Sequence, residues 1–446
     1  MKQPIFAIFD VGKTNKKLLI FDEHHQLLEE HQQVCLETID EDGFPCETLE
    51  RLSHWVVSHW QELRQNPRYQ LRGVNFTAYG ASFVHLGTEG KPVTPLYNYL
   101  KPLPESITER FYAEIGVAAD EFASTTCSPR LGMLNSGLQL YWLKYAKPEA
   151  YARIHTSLHL PQYLSYLITG EKYSDYTSIG CHTGLWDFAR RDYHEWVKRE
   201  GLHEKLAPII QDPIAGVVDG VLVGVGLHDS SSAILPYLSE EPEPFLLVST
   251  GTWAVTFNPF NQQPLTPELL RRDCLSYLSP TGQPMPAARV FMGREHDYQV
   301  GHIANHFHLK SEIRTEFYKS LRQLQPVNLQ APPFRPWCMH GTGPFPEQPA
   351  EPWDLSAFRW ATEAYQHLVQ GLVAILAASI KLIRQDEKII FVDGGFARNA
   401  LFCQLLGEAF PEAVVRTLKV PQATAFGALL HLEQGMAHKQ PATQFL

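Results

Sequence analysis

One local pattern occurs twice in this chain, far apart, and it constrains the fold more than any other feature. Near the start, PIFAIF (4–9) and KLLIFD (17–22) flank a polar turn with a glycine. At 245–257, FLLVSTGTWAVTF again runs apolar segment, small polar turn with glycine, apolar segment. The two resemble each other in form rather than in letters. Short apolar runs bounded by such turns read as strands of a hairpin. Two halves that open alike predict two domains of related topology, and the Pro/Glu-rich LSEEPEPF (238–245) reads as their connector. The expected division is 1–240 and 241–446.

The remaining segments fill in an α/β pattern. LLEEHQQVC (27–35) predicts a third strand and an antiparallel start. Residues 47–64 carry Leu49, Leu52, Val56, Trp60 and Leu63 at helical spacing. LRGVNFTAYG (71–80) reads as a strand ending on glycine, and FVHLGTEGKPV (83–93) as a strand and turn. Residues 131–146, 156–168 and 358–385 predict helices. KIIFVDGGFARN (388–399) predicts a strand that runs through glycines into a helix.

Bulk properties narrow the function classes. Hydrophobic residues are 44% and charged residues 19%, enough to build cores. The net charge, 38 − 48 = −10, argues against a general nucleic-acid binder but allows a local basic pocket. No stretch approaches ~20 uninterrupted apolar residues, so no membrane span is expected. The N-terminus enters a strand directly, without the pattern of a signal peptide. Seven scattered cysteines without a CxxC pair suggest reduced thiols and a cytoplasmic setting. The 20 histidines show no metal-ligand spacing.

Three turns carry chemistry. Backbone amides, glycine and hydroxyls together make an anion cradle. The first turn offers Gly12, Lys13, Thr14, Asn15 and Lys17; the second offers Ser249, Thr250, Gly251 and Thr252. One such turn is ordinary hairpin chemistry, but two at matched positions suit a polyphosphate. Asp10 would repel phosphate unless a cation intervenes, and Mg²⁺ held by one or two carboxylates meets that need; the alternative is that Asp10 caps the turn. The third turn, VDGGFARN (392–399), brings Gly394 and Gly395 to a strand end and is neither a GxGxxG nor a Walker loop. In VLVGVGLHDSSSA (221–233) an apolar strand stops at His228-Asp229. Asp229 is open to two readings, a helix cap or a general base.

Taken in order, these segments resemble the FGGY family of carbohydrate kinases. The matching stretches are DVGKTNKK (10–17) against D-x-G-T-T-S-x-K, GLHDSSSA (226–233), STGTW (249–253), VDGGFARN (392–399) and ATAFGALL (423–430). YLITGEKYSDYTSIGCHTGLWDFARRDYHEW (166–196) is similar to a further family stretch. The resemblance implies an α/β, two-domain actin-like ATPase (ribonuclease H-like) fold with a cleft between the domains, the first binding sugar and the second nucleotide. It implies an ATP-dependent kinase with Mg²⁺ on Asp10 and with Asp229 as base. Gly12, Lys13, Thr14, Asn15, Lys17, Gly251, Thr252, Gly394, Gly395 and Asn399 would serve ATP. Lys13 stands where the family usually has threonine, and Gln139 where many members have lysine.

The substrate reading is narrower. The Arg-Glu pair of glycerol kinases is absent after LRGVNFTA, where the chain has Tyr79-Gly80-Ala81-Ser82-Phe83. That stretch and His228-Asp229 resemble the rhamnulokinase and L-fuculokinase group, although Ser82 replaces an aspartate. Gly80, Ala81, Ser82, His228 and Asp229 would contact a ketose, a 6-deoxy-L-ketose such as L-fuculose or L-rhamnulose, phosphorylated on its terminal hydroxyl. The alternatives are a pentulose kinase (xylulose or ribulose) and a non-catalytic sugar sensor on the same fold. An actin-type ATPase is a further rival. The implied partners are the sugar and ATP, with no nucleic acid and no membrane. A homodimer is an open option.

Overall fold

The computed structural model describes residues 2–34, 37–309, 333–417, 420 and 422–439. The chain forms two compact units. One comprises Met1–Glu240, Tyr277–Gln283 and Val420–Leu446; the other comprises Glu241–Ser276 and Pro284–Lys419.

The first unit is built on a sheet ordered Ile214–Val218, Val221–Gly224, Tyr69–Ala78, Gln3–Val11, Lys16–Asp22, Leu27–Gln33, with Leu227–His228 also pairing with Tyr69–Ala78. The expected hairpin is present: Gln3–Val11 and Lys16–Asp22 pair antiparallel, and Leu27–Gln33 adds beside them. Tyr69–Ala78 then runs parallel to the first strand. Parallel neighbours buried on both faces need near-continuous apolar sequence, and Ile5–Phe9 (IFAIF) supplies it. One face packs Phe9 and Phe76 against Trp55 and its helix Leu49–Gln65. The other packs Phe6, Ile8 and Leu19 against Ala425, Ala428, Leu429 and Leu432 of the final helix, Ala423–Lys439. Thus the last helix belongs with the first unit rather than with residues 241–419, its apolar stripe packed on that unit's sheet face.

The second unit repeats the arrangement. Its sheet runs Cys274–Leu278, Pro284–Val290, Ala254–Phe257, Phe245–Thr250, Ile389–Gly394, Val414–Thr417. Again an antiparallel hairpin, here Phe245–Thr250 with Ala254–Phe257, is followed by parallel partners. The helix Ala361–Ile383 packs Leu368, Leu372, Leu376 and Ile380 in this unit's core. By length and composition alone it could cross a membrane, but 56% of its most apolar window is buried inside the protein. The reading of 156–168 as one helix is corrected. Thr156–His159 is a strand paired with Phe83–Leu86, and the helix starts at Leu160, with Pro161 in its first turn. Residues 131–135 precede the helix Ser136–Ala146 as a short 3-10 turn.

The last helix also fixes the segment carrying Asp229. A Cβ on Gly427 would lie 1.9 Å from the Ser232 carbonyl oxygen, while Ser232 Oγ donates to Thr424 O at 2.7 Å. Only glycine permits that approach. Gly427→Ala is expected to destabilise the protein by about 3 kcal/mol, read from denaturant midpoints, because backbone on both sides must move.

Candidate functional site

Strand ends bring the first-unit residues together. Asp10 and Leu227 both pair with Thr77, from opposite sides of Tyr69–Ala78, so Asp10 and the Asp229 segment flank the carboxyl end of one strand. Two strand spacings separate them, about 10 Å between backbones. Carboxyl ends of parallel strands are where open α/β sheets bind ligands. The carboxylates feel each other: burial first, then the Asp229 charge, push the half-buried Asp10 carboxyl up to about 7, with Lys17 acting the other way and Glu30 adding to the rise.

Asp229 is the first residue of the short helix Asp229–Ser232, whose N-cap is His228, so the cap reading of Asp229 is not the arrangement found. Its Oδ1 accepts from Ser230 N at 2.6 Å and Ser230 Oγ at 3.2 Å, and lies 3.2 Å from His228 Nε2. Among the described residues no group bonds its second oxygen. His228 is buried, stacks on Tyr277 (5.7 Å, 12°) and has its pKa lowered by desolvation, so it stays neutral.

Around these groups lies the segment 80–82. A Cβ on Gly80 would fall 2.7 Å from Cys181 Sγ and 2.8 Å from the His228 ring. Ala81 is held left-handed at φ 62°, and its carbonyl accepts from Gln139 Nε2 at 2.6 Å. Gln139, the departure from the usual lysine, therefore fastens this segment. Ser82 is buried with its hydroxyl unpartnered, a wall of the site rather than an open contact.

The three lysines of the first turn separate. Lys13 pairs with Glu37 at 3.2 Å; Lys17 pairs with Glu30 at 3.1 Å and lowers the Asp10 pKa; Lys16 is buried. Thr14 and Asn15 are exposed, and Gly12 N donates to Asn15 O at 2.9 Å.

In the second unit, Thr250 pairs with Gly394 on adjacent parallel strands, so Gly251, Thr252, Gly394 and Gly395 form one exposed edge. Thr250 ties it: Gly395 N donates to its carbonyl at 2.9 Å and Phe396 N to its hydroxyl at 3.0 Å. Gly394 has φ +85° and its Cβ would meet the Thr250 carbonyl at 2.0 Å, which demands glycine. Asn399 is buried, caps Ala400–Ala409 through Phe402 N and donates to Tyr365 OH, so it supports the turn from beneath. Trp253 packs at a tilt against Phe291 with Arg289 over it, and Trp142, Trp186 and Trp196 are buried, all as packing groups.

Sequence reasoning missed a third feature of this unit. The helix Met292–His306 starts on the second turn, with the Gly293 and Arg294 amides donating to Thr252 O. Farther along, the rings of Tyr298 and Trp337 stack at 6.0 Å and 9° while remaining 41% and 40% exposed. The wholly buried Glu295 accepts from the Trp337 and Cys338 amides and holds that pair in place. Only an acid inside GREHDY (293–298) hinted at it.

Two family descriptions match this chain in order. The N-terminal domain of the FGGY family of carbohydrate kinases matches residues 5–212, and the FGGY C-terminal domain matches 242–441. The chain belongs to the FGGY family of carbohydrate kinases. An FGGY kinase is a phosphotransferase to a sugar, and the family implies ATP as the donor. Its fold is the two-domain, actin-like (ribonuclease H-like) α/β fold. A rhamnulokinase of Oceanobacillus iheyensis is 22% identical over 96% of this chain and 93% of its own. An L-fuculokinase of Escherichia coli K12 is 22% identical over 57% and 56%. A carbohydrate kinase structure from Novosphingobium aromaticivorans superposes with TM-score 0.82 at 25% identity, covering 98% of this chain and 92% of that one. A xylulose kinase structure from Lactobacillus acidophilus gives 0.79 at 15%, covering 98% and 90%.

Proposed function

We propose that this FGGY kinase phosphorylates the terminal hydroxyl of a ketose, a 6-deoxy-L-ketose such as L-fuculose or L-rhamnulose, with Asp229 as general base. The observation that carries the base is the Asp229 carboxylate itself. One oxygen is held by Ser230 and His228, and the second is left to accept a proton. Neutral His228 orients that carboxylate without adding a charge. Gly80, Ala81, Ser82 and His228 shape the sugar side. The rhamnulokinase and L-fuculokinase relatives support the choice of sugar, and a pentulose is the alternative.

The donor set suits Mg²⁺. Asp10 brings one hard oxygen ligand to the same strand end as Asp229, and its carboxyl is raised first by burial and then by the Asp229 charge, both of which a dication would offset. Mg²⁺ is typically held by one or two carboxylates, water and phosphates rather than by an all-protein cage, and the described residues contain no three-ligand cluster. When bound, the ion would neutralise phosphate charge. Gly12, Thr14, Asn15 and Lys17, with Lys13 at the margin, would orient phosphate oxygens; Gly251, Thr252, Gly394 and Gly395 would do so from the second unit, with Asn399 supporting them. The Tyr298–Trp337 face offers the nucleobase a stacking surface. Asp229 takes the sugar proton as the oxygen attacks in line. The assignment of sugar binding to the first unit and nucleotide binding to the second, and a cytoplasmic setting with reduced thiols, belong to the same proposal.

The test is ADP release from ATP-Mg²⁺ over a panel of ketoses, polyols and aldoses with a no-sugar control. Turnover with L-fuculose or L-rhamnulose is the expected result. Turnover only with a pentulose would replace the substrate, and ADP release without sugar would favour a simple ATPase.

A further inference from the structure

We infer that Lys16, rather than contacting phosphate, is the positioning residue that turns the first-turn amides outward and ties them to the sugar-side segment. This rests on the kinase reading above. Lys16 is 1% exposed. Its Nζ donates to Gly12 O and to Lys13 O, both at 3.0 Å, and forms an ion pair with Glu47 Oε1 at 2.7 Å. Glu47 is itself buried, and its Oε2 accepts from Tyr79 OH at 2.9 Å.

Peptide planarity makes this arrangement directional. Among the described residues there are no cis peptide bonds. In a trans peptide the C=O of one residue and the N–H of the next point in opposite directions. Drawing the Gly12 and Lys13 carbonyls onto a buried ammonium therefore aims the Lys13 and Thr14 N–H groups away from the interior. Neither amide donates to a described backbone acceptor within the turn, where Gly12 N is the donor that is used. Two adjacent outward amides on a short turn form an anion-binding nest. Without the ammonium, nothing buried would hold two carbonyls inward.

The same ion pair reaches the sugar side. Tyr79 immediately precedes Gly80-Ala81-Ser82, and its backbone N donates to Val11 O at 3.2 Å. Gly12, Lys16, Glu47 and Tyr79 thus form one connected unit from the phosphate turn to the segment beside His228. A buried cation spent on carbonyls is unavailable to ligand, which separates Lys16 from Lys17.

The test compares Lys16→Met, Lys16→Met/Glu47→Gln and Lys16→Arg with wild type, reading Tm, ADP affinity by calorimetry, and KM for ATP and for the sugar. Removing one member of a buried pair destabilises strongly, whereas removing both is often tolerated. The double variant is therefore expected to recover most of the Tm lost by Lys16→Met. Its KM for ATP should nonetheless stay raised about 10-fold or more, with KM for sugar changed less, because the carbonyl anchor is still missing. Lys16→Arg, which keeps the cation, should recover part of the ATP affinity. A double variant with both wild-type Tm and wild-type KM for ATP would overturn the inference and leave Lys16 a packing residue. Failure of the kinase reading would show elsewhere: wild type itself would show no sugar-dependent ADP release.

Discussion

Asp229→Asn is expected to lower kcat by about 10³-fold, within the range for loss of a general base, while KM for ATP and the fold stay close to wild type. The local structure makes this a clean substitution. Asp229 Oδ1 accepts from Ser230 N and Ser230 Oγ. An amide oxygen accepts the same bonds, so the helix Asp229–Ser232 keeps its start. What disappears is the basicity of the second oxygen. The charge lost is also one that raises the Asp10 pKa. Metal or ATP binding should therefore not suffer through Asp10, and a collapse of ADP affinity in this variant would point to misfolding. Stopped-flow or coupled turnover at saturating sugar and ATP-Mg²⁺ decides the matter. A kcat within a few-fold of wild type would remove Asp229 from the mechanism.

What the sequence disclosed and what it hid follow the range of the interactions involved. The two hairpins were legible because their signal is local: an apolar run such as IFAIF (5–9) next to a glycine turn needs no distant partner to be a strand. Asp10 and Asp229 were legible as candidates because each ends such a run. Their coupling was not, since it depends on both segments pairing with Tyr69–Ala78 from opposite sides, long-range contacts that only the sheet creates. Thr156–His159 read as part of one helix over 156–168; pairing with Phe83–Leu86 made it a strand, a tertiary contact overriding a weak local preference. Asn399 looked like a ligand group by its motif, yet its amide is engaged in a cap and with Tyr365 OH. Among Lys13, Lys16 and Lys17, letters alone cannot say which is buried. Strand alternation puts Lys16 inward, but Glu47 and Tyr79, which make a buried ammonium tolerable, lie 31 and 63 positions downstream. The final helix shows the same limit. ATAFGALL (423–430) was legible only as a family match, and the Ser232 carbonyl 1.9 Å from a Gly427 Cβ shows what is packed so closely there.

Asp10→Asn is expected to make the protein more stable at alkaline pH while abolishing most activity. The ordinary value for the Asp10 carboxyl is 3.8, and in the folded chain it is pushed up to about 7. Between those values the folded state holds a proton that the unfolded chain has released. Stability contributed by this proton is present at about pH 4, declines as pH rises and is gone above about 7. Asparagine has no proton to lose. The variant should match wild type near pH 4 and exceed it at pH 8, by roughly 2 kcal/mol once water reaching the half-buried group is allowed for. Thermal denaturation across that range measures the difference. Added Mg²⁺ should narrow it at pH 8 by stabilising only wild type, since a dication next to Asp10 offsets the repulsion from Asp229. In the same variant kcat/KM for ATP-Mg²⁺ should fall at least about 100-fold. The combination matters because an ordinary turn cap gives the opposite stability result: losing a carboxylate that caps a turn destabilises. A variant less stable than wild type at pH 8, with activity retained, would return Asp10 to the role of a turn cap and leave the metal without a ligand in the first unit. A more stable, inactive variant would mean that this strand end holds its two carboxylates together at a cost to the fold, which is the expected mark of a site built for a cation the protein itself does not supply.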